Sequence, residues 1–94
     1  MDIKSKEGCY YIVNENQDMV AHIDYHFDSQ ARMVVTSTYV HPSLRGQGIA
    51  NRLMEKIIAL AIQEKRFIIP ICSFAVKVLS QPAYIHLKDP TWRA

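Results

Sequence analysis

The stretch that decides the fold lies mid-chain and reads Val40-His41-Pro42-Ser43-Leu44-Arg45-Gly46-Gln47-Gly48-Ile49-Ala50. The run before it, Met33 to Val40, is rich in Val, Thr and Tyr on both parities, which predicts a central strand covered on both faces. After it the pattern changes to a helical period, with Ile49, Leu53, Ile57 and Ala61 four apart and Ala50, Met54, Ile58 and Ile62 beside them. The stretch is therefore a loop between a strand and an amphipathic helix.

Two further strands precede this unit. Residues 10–13 form a short aromatic and β-branched run that ends in a polar, turn-like cluster at 14–18. Residues 19–28 alternate almost perfectly, which predicts a strand with one wet face. We expect three antiparallel strands before the loop.

A fourth strand follows the helix, at Phe67 to Cys72. A strand, loop, helix and strand over about forty residues have the size of a right-handed βαβ crossover, so this strand should run parallel to the third. Pro70 cannot donate to a ladder and favours a sheet edge or a place where strands separate. Ser73 should cap a short C-terminal helix through about Ser80. The fold class is mixed α+β and α/β, and residues after 81 carry no clear pattern.

Composition excludes several functional classes. The 94 residues suit one domain, residues 1–94, and the net charge of +2 without a basic run argues against nucleic acid. No stretch is apolar for long enough to cross a membrane, and the chain begins without a leader pattern, so we expect a cytoplasmic protein. Cys9 and Cys72 lack metal-ligand spacing and fit a reducing compartment. A monomer is slightly favoured.

No metal site is predicted. His22 and His26 are four residues apart on a strand, about 13 Å, which is too far to share one ion.

The loop has the composition of an anion site. Amides at a helix N-terminus attract negative charge, glycines at 46 and 48 let an anion approach the backbone, and Arg45 adds a charged donor. A dinucleotide fingerprint and a P-loop both fail, because Asn51 stands where a third small residue is needed and Gly-Lys-Ser/Thr is absent. Two glycines alone fit a simple tight turn equally well.

The loop resembles the signature of the GNAT superfamily of acetyl-CoA-dependent N-acetyltransferases, Arg/Gln-x-x-Gly-x-Gly/Ala, at Arg45, Gly48 and Ala50. The segment Cys72-Ser73-Phe74-Ala75 is similar to one found in short GNAT-like proteins of about 90 to 100 residues. The resemblance implies a minimal GNAT fold: three antiparallel strands, a βαβ unit with a parallel fourth strand and a short C-terminal helix. It departs from larger members, which have extra elements that build the acceptor pocket.

The resemblance also implies a site for acetyl-CoA. Amides from Arg45 to Ala50 would hold the pyrophosphate, and pantetheine would enter a slot between the diverging third and fourth strands. The cofactor-binding residues expected on this basis are Tyr39, Val40, Arg45, Gly46, Gln47, Gly48, Ile49, Ala50, Phe74 and Leu79.

Two residues are candidates for catalysis. His41 is a candidate base because histidine is the residue type suited to base work near neutrality, although an exposed turn histidine is an equal alternative. Cys72 precedes a helix and is a candidate nucleophile, with simple burial as the alternative. The backbone amide of Val40 is the expected oxyanion donor. Tyr84 is more an aromatic anchor than an acid.

Three functions fit the sequence. The first is an N-acetyltransferase that moves acetyl from acetyl-CoA to an amine of a small molecule or a protein, by direct transfer. The second is a non-catalytic module of the same fold that binds CoA or acyl-CoA. The third is an interaction domain in which the loop is only a turn.

Overall fold

The computed structural model describes residues 2–92. Within these residues there are five strands and two α-helices, with short 3-10 turns at Pro42–Leu44 and Ile85–Leu87. In chain order the elements are β1 Lys4–Lys6, β2 Cys9–Val13, β3 Met19–Phe27, β4 Met33–Val40, α1 Ile49–Glu64, β5 Ile68–Pro70 and α2 Ser73–Leu79.

The strands form one sheet in the order β1-β2-β3-β4-β5. Neighbours are antiparallel up to β4, and β5 runs parallel to β4. The three predicted antiparallel strands and the parallel strand after the helix are therefore confirmed. β1 was not predicted, because Lys4–Lys6 is exposed, polar and without β-branched residues.

Helix α1 covers one face of the sheet with the predicted apolar stripe. Ile49, Leu53, Ile57 and Ala61 are all buried and pack in one cluster with residues of β2, β3, β4 and α2. Ile62, which the period assigned to the side of this stripe, is 57% exposed. The helix ends at Glu64, and Lys65 takes a left-handed conformation (φ 56°).

The pairing of β4 with β5 is short, and this is what shapes the candidate site. The two strands pair only from Met33 to Val35 on the β4 side, and the carbonyl of Val35 then accepts from the amides of both Ile71 and Cys72. β4 continues to Val40 paired with β3 on its other side but with no strand on the β5 side. Pro70 stands at the last paired position of an edge strand, so both readings of this proline are correct.

The start of α2 differs from the prediction by one residue. Cys72 rather than Ser73 is the N-cap: its backbone is extended (φ −74°, ψ 149°) and its sulfur accepts from the amide of Ala75 at 3.4 Å. The fourth predicted strand is correspondingly shorter, because the chain leaves the sheet after Pro70.

The tail folds back along the outer edge of β5. Lys88 makes an isolated parallel bridge to Ile68, and the amide of Asp89 donates to the Ile68 carbonyl at 3.0 Å. Asp89 is buried and contacts Arg32 at 3.3 Å. The tail thus has a defined path through Trp92, although no sequence pattern predicted it.

Candidate active site

The loop from β4 to α1 needs its two glycines for conformational reasons. Gly46 (φ 80°) and Gly48 (φ 75°) both lie in the left-handed region that other residues rarely adopt. A Cβ at either position would find no protein atom within 4 Å. The space above both glycines is therefore open to a ligand.

The N-terminus of α1 is left uncapped by side chains. Gly48 is the N-cap and its first helical bond comes from the amide of Arg52 at 3.1 Å, so the amides at 49–51 precede the intrahelical ladder. The first turn carries no acidic residue. These amides and the helix dipole together attract an anion.

A cavity of about 300 Å³ opens at this helix end. Its lining is Val40, Leu44, Arg45, Gly46, Gly48, Ile49, Ala50 and Asn51. The Nε of Arg45 donates to the carbonyl of Val40 at 3.0 Å, which fixes the guanidinium at the rim. A second cavity, also about 300 Å³, lies between α1 and the chain around α2 and shares Asn51 with the first.

Beyond Val35, β4 carries backbone groups that β5 does not pair. The amide of His41 donates to a β3 carbonyl at 2.7 Å. Hydrogen-bonded and non-hydrogen-bonded positions alternate in an antiparallel ladder, so the amides of Thr38 and Val40 point away from β3. They face the gap that β5 leaves. Met33 and Val35 also face β5, so in a regular ladder Ser37 and Tyr39 would face the gap. A β-bulge between the Asp24 and Tyr25 positions of β3 shifts the alternation by one residue, so Thr38 and Val40 face it instead.

Cys72 lies at this gap. Its sulfur is 3.4 Å from the hydroxyl of Thr38 and accepts from the amide of Ala75. Phe74, on the first turn of α2, is half-buried against the core. Within residues 2–92 no group of three or more His, Cys, Asp or Glu side chains is arranged to hold a metal ion.

A family model for GCN5-related N-acetyltransferases matches residues 9–87 of this chain. The chain belongs to the GCN5-related N-acetyltransferase (GNAT) family. A search of the curated proteins finds no match.

Solved structures of GNAT proteins have the same fold. The NMR solution structure of a GCN5-like protein from Staphylococcus aureus is 28% identical with a TM-score of 0.77, covering 98% of this chain and 91% of that chain. AAC(6′)-Iy, in complex with the bisubstrate analog CoA-S-monomethyl-acetylneamine, is 17% identical with a TM-score of 0.57, covering 92% and 64%. Ribosomal-protein-alanine N-acetyltransferase from Brucella melitensis biovar Abortus 2308 is 14% identical with a TM-score of 0.56, covering 95% and 70%. The last two likenesses concern the fold alone.

The structure brings most of the expected GNAT cofactor residues together. Those around the first cavity are Val40, Arg45, Gly46, Gly48, Ile49 and Ala50. Gln47 is exposed on the same loop, and Tyr39 is exposed on the helix-free face of the sheet, stacked on His22. Leu79 is fully buried in the core, so it offers no surface to a slot.

Two residues of this GNAT cavity were missed. Leu44 ends the 3-10 turn and packs against the core, and Asn51 follows the glycine loop in the first turn of α1. Asn51 was noted only because it breaks a different fingerprint, although its position at a helix start was a usable signal.

His41 lies apart from the other residues expected at the site. It lines a separate cavity together with Asn14, Asp18, Met19, Val20, Ser43 and Leu44. Its Nδ1 accepts from the amide of Ser43 at 3.1 Å, which caps the 3-10 turn. In the neutral ring the proton therefore lies on Nε2, so the outer nitrogen of His41 is a donor rather than a base.

None of the helices in residues 2–92 is long and apolar enough to cross a membrane.

Proposed function

We propose that this chain is an acetyl-CoA-dependent N-acetyltransferase that transfers acetyl directly to an amine. The observation that carries the proposal is the continuity of two features. The uncapped α1 N-terminus, with its glycines and Arg45, suits a pyrophosphate. Next to it, the unpaired edge of β4 beyond Val35 suits the amide groups of pantetheine.

The neighbours support the cofactor. AAC(6′)-Iy shares the fold and carries a CoA-containing bisubstrate analog. The second cavity, which meets the first at Asn51, provides room for a further part of a CoA molecule outside the sheet. We further propose a cytoplasmic location, which the two free cysteines support.

The reaction needs few groups from the protein. The amine nitrogen attacks the thioester carbon, the C–N bond forms and the C–S bond breaks. The nitrogen gives up one proton in this step, and the departing sulfur takes one to become CoA thiol. The amide of Val40 faces the gap and is our candidate donor to the oxygen that becomes negative in the tetrahedral intermediate.

The roles of His41 and Cys72 stay predictions. His41 can serve as a base through Nε2 only in its other neutral tautomer, with the proton on Nδ1. That tautomer gives up the hydrogen bond from the Ser43 amide. Cys72 is near enough to the gap to receive an acetyl group in a two-step route. Direct transfer needs neither step.

A thermal melt with acetyl-CoA tests the cofactor site. Ligand at one hundred times its dissociation constant adds about 2.7 kcal/mol, which raises the melting temperature of so small a domain by about ten degrees or more. Arg45→Glu should abolish the rise. Arg66→Glu makes the same charge change on an exposed residue just beyond α1 and should keep it. A native chain that shows no rise at saturating acetyl-CoA would refute the site.

A second candidate is a CoA-binding module without turnover. The observation that favours it is that the match covers only 64% of AAC(6′)-Iy, so part of that larger protein has no counterpart in the residues matched here. Release of free thiol from acetyl-CoA across a panel of amines separates the two functions. An enzyme releases thiol in proportion to the acetylated amine, whereas a module binds acetyl-CoA and releases none.

A further inference from the structure

A groove lies at the end of α1 that is far from the glycine loop. It consists of two cavities, of about 310 and 240 Å³, that share Phe67 and His86 in their linings. The first cavity is lined by Ala61 and Ile62 of the last turn of α1, and the second extends along the tail to Trp92. With a rise of about 1.5 Å per residue, about 20 Å of helix separates this distal groove from the cofactor cavity.

The distal groove is bordered by exposed apolar side chains. Ile62, Phe67 and Ile85 are 57%, 47% and 53% exposed, and they are three of the seven large apolar side chains that are exposed in residues 2–92. Each of the three lines one or both of the cavities. Single apolar residues scattered on a surface are ordinary, whereas several around one concave site mark a binding surface.

The rim of the distal groove is basic. Lys65 and Arg66 line the first cavity, and Lys88 lines the second. Among the described residues none of these three cations makes an ion pair. The carboxylate in the lining belongs to Asp89, which is buried and already held by Arg32. The groove therefore combines an apolar centre with unbalanced positive charge at its rim.

This combination distinguishes between possible occupants. A second copy that presented the same groove would bring like charges together, which disfavours association. A membrane binds apolar side chains that protrude and insert among its lipids, whereas these side chains surround a concavity. A polypeptide that carries carboxylates beside one apolar side chain fits both features, because the apolar side chain fills the concavity and the carboxylates meet the rim.

We propose that the distal groove binds an acidic polypeptide segment of a partner protein, with one aliphatic or aromatic side chain of that segment seated between Ile62, Phe67 and Ile85. Carboxylates on either side of this anchor face the three cations of the rim. The inference does not depend on acetyl transfer, because no residue that lines the cofactor cavity lines the groove. With about 20 Å of helix between them, both sites can be occupied at once.

A random peptide library tests this chemistry without presupposing the partner. Phage-displayed heptapeptides are first depleted on immobilised Phe67→Ser and then selected on the native chain. We expect enrichment of sequences in which Asp or Glu flanks a Leu, Ile, Phe or Trp. Enrichment of basic sequences, enrichment without any charge preference, or no enrichment over the depleted pool would each overturn the inference.

Fluorescence polarisation with the most enriched peptide then locates the site. Phe67→Ser should raise the dissociation constant of the peptide by about tenfold or more, because a side chain around the anchor is lost. Phe27→Ser is the matched control: Phe27 is 46% exposed, lines neither cavity and should keep native affinity for the peptide. Equal affinity of the native chain and Phe67→Ser would show that the peptide binds elsewhere, against the inference.

Two charge reversals separate the inference from the proposed function. Arg66→Glu should weaken peptide binding by about fivefold or more and keep the melting rise with acetyl-CoA, and Arg45→Glu should do the reverse. Peptide binding by a native chain that ignores acetyl-CoA would support the groove and refute the cofactor site. Peptide affinity unchanged in Arg66→Glu would contradict the basic rim.

The other occupants have their own readouts. Sedimentation of the native chain measures self-association, and co-pelleting with phosphatidylserine vesicles measures membrane binding. We expect a monomer that stays in the supernatant. A dimer or a vesicle-bound chain that Phe67→Ser abolishes would assign the groove to a second copy or to a membrane, and would overturn the proposal of an acidic polypeptide.

Discussion

The hydroxyl oxygen of Thr38 lies 3.4 Å from the sulfur of Cys72, at the point where β4 and β5 separate. The same sulfur accepts from the amide of Ala75 and so begins α2. The Cys72 side chain therefore both caps α2 and lies at the wall of the proposed slot. A change at Cys72 affects stability and the site together, and two variants are needed to separate these effects.

Cys72→Ser keeps an acceptor at the start of α2, and Cys72→Ala removes it. We expect the alanine variant to lose about 0.5–2 kcal/mol of unfolding free energy and the serine variant less. With direct transfer, both variants should release thiol from acetyl-CoA at near-native rates. Two inactive variants, together with an acetyl adduct on the native chain by intact mass spectrometry, would instead support the covalent route.

Gly48→Ala tests the cavity at the start of α1. Alanine at φ 75° costs about 1–2 kcal/mol and adds a methyl group to the open space. Gly8→Ala is the control, because Gly8 has the same φ of 75° in the turn between β1 and β2. There the added Cβ would also lie 3.0 Å from the Tyr25 carbonyl oxygen, so the loss of stability should be no smaller than in Gly48→Ala. Both should lower the melting temperature, and only Gly48→Ala should weaken CoA binding by calorimetry, by about tenfold or more. Equal CoA affinity in the two variants would contradict the assignment of this loop.

The two thiols should differ in reactivity. Burial, with a contribution from the neighbouring Asp24, raises the pKa of Cys9 to about 11, and its side chain is 5% exposed. Cys72 is only half-buried. We expect iodoacetamide at mildly alkaline pH to modify Cys72 first and acetyl-CoA to slow that reaction. In Cys72→Ala, labelling should need denaturant; rapid labelling of the native fold would show that Cys9 is accessible.

Arg32 should contribute stability that depends on pH. It contacts Asp28 at 2.8 Å and Asp89 at 3.3 Å. Hydrogen bonds from the amide and side chain of Arg32 lower the pKa of Asp28, and those from Thr91 and then Arg32 lower the pKa of Asp89, both from an ordinary 3.8. A lowered folded pKa means that the stabilisation is complete above 3.8 and is lost as pH falls through the folded value.

Arg32→Met should therefore unfold at lower urea than the native chain at neutral pH. The difference should shrink at a pH well below 3.8. A difference of the same size at both pH values would mean that packing of the Arg32 arm, rather than its charge, is what the variant loses.

The sequence predicted the elements that have a local residue pattern. β3 follows from its alternation, β2 and β4 from their β-branched and aromatic residues, and α1 from its helical period, and the loop was located because Pro42 and Gly46 interrupt those patterns. β1 has no apolar signal, and the tail path depends on one ion pair and one bridge between distant residues. Interactions between distant positions leave no local pattern to read.

The position of the loop was predictable from the sequence, but the arrangement of the groups around it was not. Which amides of β4 face the gap depends on the bulge opposite Asp24, which shifts the phase of the ladder by one residue. Leu79 was expected on a slot wall, but a short helix shows only a few apolar positions, and the fold buries this one. The hydrogen bond from Ser37 to Asp24 could not be predicted from the alternation of β3, because only the cross-strand register brings the two residues together.

The two edge strands of the sheet, β1 and β5, limit edge-to-edge association between copies of this molecule. Lys4 and Lys6 place two positive charges on the short outer strand at one side. At the other side Pro70 removes a donor, and the bridge from Lys88 covers the start of the outer strand. Charges, prolines and covered edges are the features by which proteins prevent strand addition, since an open edge recruits other chains. Growth of the sheet into fibrils through either edge is thus disfavoured, even though part of β4 has no strand beside it on the β5 side.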